Sequence, residues 1–137
     1  MLFVTRERLH VDRIATAWAI RRFLDPAARF AFVPRTKDVA TVPGTPFDIR
    51  GAELSHHGAR CTFEVLLERH RLTDLALERL GLIVRGADLP TEDGAPPESN
   101  GVRAVFDGLR DAELSDEERL RIGSAFCDAL YAFCSGR

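Results

Sequence analysis

Two stretches of the chain hold most of the side chains able to do chemistry. One is His10-Val11-Asp12-Arg13. The other runs from Glu53 to Glu64 and packs His56, His57, Cys61 and two carboxylates into twelve residues. Asp88 adds a third carboxylate where a helix is expected to give way to a loop. Imidazole nitrogen combined with carboxylate oxygen suits a divalent transition metal such as zinc, iron or manganese, whereas calcium takes oxygen alone. A ligand set of His56, Glu64 and a carboxylate from elsewhere, Asp12 or Asp88, meets that requirement, with Glu53 as a further candidate. Glu53 and His56 are three apart and would face opposite sides of a straight strand, so they share an ion only if the chain bends. Gly58 makes a nearby turn available.

Each of these residues also has a plainer role open to it. Histidine pairs often cap strands or donate to carbonyls. Glu64 falls in the first turn of a helix that Thr62 is expected to begin, where the dipole favours an anion whatever else is nearby. His10, Asp12 and Arg13 suit a hydrogen-bond network at a helix start. The spacing is far less specific than that of a HExxH motif. Cys61 offers a different chemistry, since a thiol just before a helix start could act as a nucleophile with His56 or His57 as base. No oxyanion-hole motif or nucleophile elbow accompanies it, so a metal is the preferred reading.

The elements that must position these groups are legible from periodicity and punctuation. Leu2–Thr5 is β-prone. Val11, Ile14, Ala15, Trp18 and Ala19 recur with helical spacing, and Asp25-Pro26 closes that helix because the residue before proline avoids the helical region. Phe30–Val33 reads as a second, buried strand. Residues 34–52 carry Pro34, Pro43, Gly44, Pro46 and Gly51 and predict a long loop with a short strand at Phe47-Asp48-Ile49; ordered loops of that length are often functional. A helix follows over about 62–70. Thr73 is expected to cap the next one, whose apolar face is Leu77, Leu80, Ile83, Val84 and Ala87, and which ends at Asp88. Residues 90–101 predict a second loop, followed by a short helix through Val105, Phe106 and Leu109. Ser115 to Glu118 is a capping-box sequence opening a last helix with a core stripe of Leu120, Gly123, Phe126, Cys127, Leu130, Phe133 and Cys134. The fold class expected is α+β, a mostly helical single domain over 1–137 with a small β-sheet.

With 137 residues, 45% hydrophobic and 29% charged, the chain has the balance of an ordinary folded domain. It has no apolar run of membrane-spanning length and no secretory leader pattern, so no membrane partner is expected and a cytoplasmic location is. Three cysteines without a CxxC spacing indicate neither a zinc ribbon nor a thioredoxin-type pair; Cys127 and Cys134 read as buried thiols. Net charge is −2, which gives no general case for nucleic-acid binding. Its distribution is uneven: residues 1–37 hold eight basic side chains against three acidic ones. Pairing with the acidic remainder is expected to absorb most of that excess.

The stretch from Thr5-Arg6 through His10-Val-Asp12-Arg13-Ile14, Trp18 and Arg21-Arg22-Phe23 to Asp25-Pro26 resembles the opening of the ChrB C-terminal domain family. So does Pro46-Phe47-Asp48 with Gly51-Ala52-Glu53-Leu-Ser55-His56-His57-Gly58 and Cys61-Thr62-Phe63-Glu64. The two blocks stand in the same order with a similar gap, and the likeness continues through Leu72-Thr-Asp74, Ile83-Val84 and Ala87-Asp88-Leu89. That family is associated with chromate resistance, and its longer members look like chromate-responsive regulators with an additional N-terminal region regarded as the DNA-binding part. The resemblance here begins at residue 3, so direct nucleic-acid binding is not expected of this chain.

The resemblance falls on the polar residues singled out above and favours metal or anion binding. The function expected is a metal-binding sensor or small metal-dependent enzyme acting on an oxyanion or related ligand, and whether a reaction is catalysed stays open. Asp12, Glu53, His56, Glu64 and Asp88 are the metal candidates. Arg13 or Arg22 is expected to meet a small anionic ligand such as chromate, with His10, His57 and Cys61 as further ligand-binding candidates, because guanidinium presents two donors to an oxyanion edge. The alternative is a non-catalytic chromate- or partner-binding module of a transcriptional regulation system. Monomer and homo-oligomer both remain open.

Overall fold

The computed structural model describes residues 1–89 and 94–136. β1 (Leu2–Arg6) is a β-prone run whose middle residues Phe3, Val4 and Thr5 are all buried. It lies at the centre of a three-stranded sheet between β2 (Arg29–Val33) and β3 (Thr45–Pro46), parallel to both. Phe3 stands opposite Phe30 on one side and Thr45 on the other. Parallel neighbours require a crossover connection. Between β1 and β2 that connection is α1 (Val11–Ala19), extended by one π-helical turn over Ile20–Leu24.

Asp25 ends the crossover, with its N–H on Ile20 O at 2.8 Å and an extended backbone before Pro26, as the proline predicts. The π turn brings Phe23 edge-on to Trp18 and to Tyr131. Four helices follow: α2 (Thr62–Arg69), α3 (Leu75–Asp88), α4 (Glu98–Asp111) and α5 (Asp116–Ser135). The fold class is therefore α+β, mostly helical with a small sheet, as expected.

α1 packs against all four of these helices. Its only partly open position is Arg13. Small residues Ala15, Ala17 and Ala19 allow that crowding, and Gly123 of α5 completes it. A Cβ at Gly123 would stand 2.6 Å from Ile14 Cγ2, so α5 crosses α1 at a distance only glycine permits. Buried apolar side chains from β1, α1 and the other helices form one continuous core cluster.

The structure differs from the sequence expectations in five places. β3 lies two residues before the expected strand, because Asp48 takes a left-handed backbone (φ 51°) that ends extension just after Phe47. Asp74, not Thr73, caps α3, its carboxylate accepting Ala76 N–H at 2.8 Å. α4 is a full 14-residue helix rather than a short one. Its start at Glu98 occupies part of the expected second loop, of which residues 90–93 lie outside the described residues. Phe126 is 42% exposed and leans on Phe106 rather than entering the core; it sits one helical step, about 100° of rotation, from the buried Cys127. Among the described residues no helix is long and apolar enough to cross a membrane.

Candidate metal centre

Three helix ends meet around His56. Asp12, in the first turn of α1, is nearly inaccessible, with 2% of its side chain exposed. Its carboxylate caps a helix other than its own: Oδ2 accepts Thr62 N–H and Oδ1 accepts Phe63 N–H, each at 2.9 Å, at the N-terminus of α2. Two helix starts thus hold one anion, each with its positive dipole end toward it. A carboxylate oxygen has two lone pairs, so both oxygens of Asp12 keep one for a further partner.

Asp48 comes from the loop after β3. Its left-handed backbone lets the chain turn in, and its Oδ1 accepts the Thr62 hydroxyl at 2.7 Å. Arg13 braces it from α1: Nη2 donates to the Asp48 carbonyl at 3.1 Å, and Nε lies 3.1 Å from Oδ2. The Nε approach is an ion pair without hydrogen-bond alignment, so that buried donor has no aligned acceptor. Asp88 arrives as the last residue of α3.

His56 closes the cluster on the solvent side, with 39% of its side chain exposed. Its Nε2 lies 2.9 Å from Asp12 Oδ2, 3.2 Å from Asp88 Oδ2 and 3.7 Å from Asp48 Oδ1. One ligand atom from each of Asp12, Asp48 and His56 falls within 4.8 Å of the others. The floor is buried, two walls are half-buried, and one side is open.

The electrostatics follow from crowding carboxylates away from water. Burial, with the Asp12 charge beside it, pushes Asp48 up to about 7, against the pull of Arg13 and the Thr62 hydroxyl. Burial and Asp12 likewise raise Asp88 to about 6. The hydrogen bond to Asp12 takes His56 up to about 9, helped by the charges of Asp12, Asp88 and Asp48. The cluster therefore retains protons at neutral pH that the same groups would release in water. A site that holds excess protons in this way has a standing demand for positive charge.

Of the residues singled out from sequence, Asp12, His56 and Asp88 are brought together. Glu53 is not: 92% of its side chain is exposed, and its carboxylate lies 3.7 Å from Arg69 Nη1. Glu64 serves the start of α2 instead, its Oε1 accepting Cys61 N–H at 3.3 Å, with Arg85 Nε 3.5 Å away. This is the first-turn role open to any glutamate at that position. His57 turns back on its own loop toward Glu53 O at 2.9 Å. His10 pairs with Asp107 of α4 at 2.6 Å, and burial, outweighing that partner, lowers its pKa. Arg22 lies against Tyr131 and Asp128, away from His56. Cys61 is fully buried and its thiol pKa is pushed far up by burial, which removes the thiolate a nucleophile needs.

Nothing in its immediate neighbours marks Asp48 as a site residue, since Phe47-Asp48-Ile49 has the pattern of a short strand with Asp48 at its middle. The signal available was its place in a Pro/Gly-rich loop, since aspartate is among the few residues that tolerate left-handed backbone.

The fold and the cluster define a class: a small helical α+β domain presenting a histidine and three carboxylates at converging helix ends. The family model described as "ChrB, C-terminal domain" matches residues 3–134, and the chain belongs to that family. It is 39% identical, across 97% of its length, to the protein ChrB of Cupriavidus metallidurans, and spans 40% of that longer protein. No solved structure matches it.

Proposed function

We propose that Asp12, Asp48, His56 and Asp88 form a binding centre for one divalent transition metal. On this reading the domain acts within chromate resistance as a metal-dependent sensor or small metal-dependent enzyme. The observation that carries this is His56 Nε2 set within 2.9 to 3.7 Å of three separate carboxylates. Three carboxylates and one imidazole are an oxygen-rich set with a single nitrogen, the composition that suits manganese, iron or zinc. The sulfur of Cys61 faces Glu64 rather than this group, which disfavours soft, thiolate-seeking ions.

Binding would displace the proton on His56 and any held by Asp48 and Asp88, because ligands must be deprotonated. Thr62 would act from behind, its backbone N–H and hydroxyl orienting Asp12 and Asp48. The open side at His56 leaves access for a further ligand from solvent. An oxyanion could meet the metal there but not the carboxylates alone, whose charge repels it.

Elemental analysis tests the centre directly. Wild-type protein supplemented with manganese, iron or zinc and then desalted should retain about one equivalent per chain. Asp48→Asn and His56→Ala should retain little. Failure of wild type to retain any transition metal after supplementation removes the proposal.

A further inference from the structure

Arg13 borders a second feature, a recess of about 510 Å3 formed where the β1–α1 connection, the turn after β2 and the end of α4 meet. Its lining residues include four arginines, Arg8, Arg13, Arg35 and Arg110, with Thr36 and a single acidic residue, Glu7. The surrounding contacts hold this arrangement in place. Arg8 has a left-handed backbone (φ 63°), and its N–H and that of Leu9 donate to the Asp116 carboxylate at 2.9 and 3.0 Å. Arg6 spends its guanidinium on the carbonyls of Pro34 and Lys37, at 2.7 and 2.6 Å, and so fixes the turn that presents Arg35 and Thr36.

The charges are unevenly answered. Arg13 is drawn to Asp48, and Arg110 to Asp107 and Asp111. The guanidiniums of Arg8 and Arg35 have no ion-pair or hydrogen-bond partner among the described residues. Like charges gathered in one concave place repel each other unless an anion joins them. Planar guanidinium forks match the paired oxygens of a tetrahedral oxyanion. A free tetrahedral anion fills only a small part of a recess this size, and pockets of a few hundred Å3 suit small organic molecules.

We propose that this recess binds a small phosphate-bearing molecule through its oxyanion, with Arg8 and Arg35 as the principal donors and Arg13 and Arg110 flanking them. The recess shares Arg13 with the metal centre but rests on Arg8 and Arg35, and its test uses protein stripped of metal and dialysed free of chelator, so either can fail alone.

Calorimetric titration at constant ionic strength in potassium chloride, with glycerol phosphate and with inorganic phosphate as probes, is the experiment. Saturable binding of one glycerol phosphate per chain is expected, tighter than inorganic phosphate. It should weaken at least about tenfold in the Arg8→Ala/Arg35→Ala variant, since each lost fork removes charge-assisted hydrogen bonds. Arg121→Ala, a charge removed from the exposed face of α5, should leave it unchanged. Both substituted pocket arginines are exposed, so circular dichroism should show both variants folded. No saturable heat beyond chloride, or equal losses in the two variants, overturns the site. Equal affinity for the two probes overturns the ester as its ligand.

Discussion

His56 Nε2 and Asp12 Oδ2 lie 2.9 Å apart, joining a half-open imidazole to a carboxylate that is otherwise sealed inside the protein. Asp12 already satisfies two backbone N–H groups of α2, so its role in folding and its place in the cluster depend on the same two oxygens. The carboxylates beside it, Asp48 and Asp88, have no comparable structural duty to two backbone groups. That asymmetry separates what each substitution should do.

Asp12→Asn should destabilise the metal-free protein by about 1–3 kcal/mol, because an amide leaves one buried N–H of α2 without its acceptor. Asp48→Asn and Asp88→Asn should leave it as stable as wild type or more so, since each removes a carboxylate crowded by like charge. Urea titrations of the three variants read this out. A stability loss for Asp88→Asn matching that of Asp12→Asn would show the distinction to be wrong.

Stability should fall as pH rises in the absence of metal. Asp48 and Asp88 have pKa values raised from 3.8 to about 7 and about 6, and His56 is raised from 6.5 to about 9. In all three cases the folded state binds protons more tightly than the unfolded chain. Stability from the two carboxyls is thus fully present below about pH 4 and lost as pH climbs through their folded values. Stability from His56 persists to about its unfolded pKa and is lost on the way to about 9. Thermal melts of metal-stripped protein should show Tm declining between about pH 5 and about pH 9, with a shallower decline in Asp48→Asn.

A bound divalent ion should reverse that trend. It competes with protons for the same atoms, so its stabilising effect grows as pH rises. At a free metal concentration about a hundredfold above Kd, stability should increase by about 2.7 kcal/mol. Melts with and without manganese or zinc at two pH values check this, with His56→Ala expected to show no shift.

The thiols should be silent in the native state. Cys61, Cys127 and Cys134 are each at most 1% exposed, and burial raises the pKa of Cys61 and Cys127. A thiol-reactive chromophore should titrate none of them in folded protein and all three in denaturant. Rapid labelling of Cys61 without denaturant would return the nucleophile reading to consideration.

Gly123→Ala tests the helix crossing that positions α1. The added methyl would meet Ile14 Cγ2 at 2.6 Å and Phe106 at 3.2 Å, both in the core. Overpacking of this kind costs about 1–3 kcal/mol. Equilibrium unfolding should show that loss, and an unchanged midpoint would mean that α5 stands off α1 further than described.

Local order was largely readable in the chain. The apolar stripe of α1, the stop at Asp25-Pro26 and the capping box at Ser115 and Glu118 follow from side-chain spacing and backbone restriction within a few residues. The misplacements were also local in cause. A left-handed aspartate imitated a strand residue, and Asp74 stood one position past the threonine expected to cap α3. Glu53 and Glu64 drew notice by nearness to the histidines. Proximity along the chain says little about where a side chain points once a helix start or a bend intervenes.

Residue type and periodicity alone determined that this chain makes several helices and a small sheet, and that imidazole and carboxylate groups suited to a metal are concentrated in it. Only the tertiary structure decided that Asp48 joins Asp12, His56 and Asp88 while Glu53 and Glu64 stay apart. The reason is physical: spacing sets which face of an element a side chain occupies, whereas the meeting of the α1 and α2 starts with the α3 end depends on how whole helices pack. That packing turns on contacts such as Gly123 against Ile14, between residues far apart in the chain.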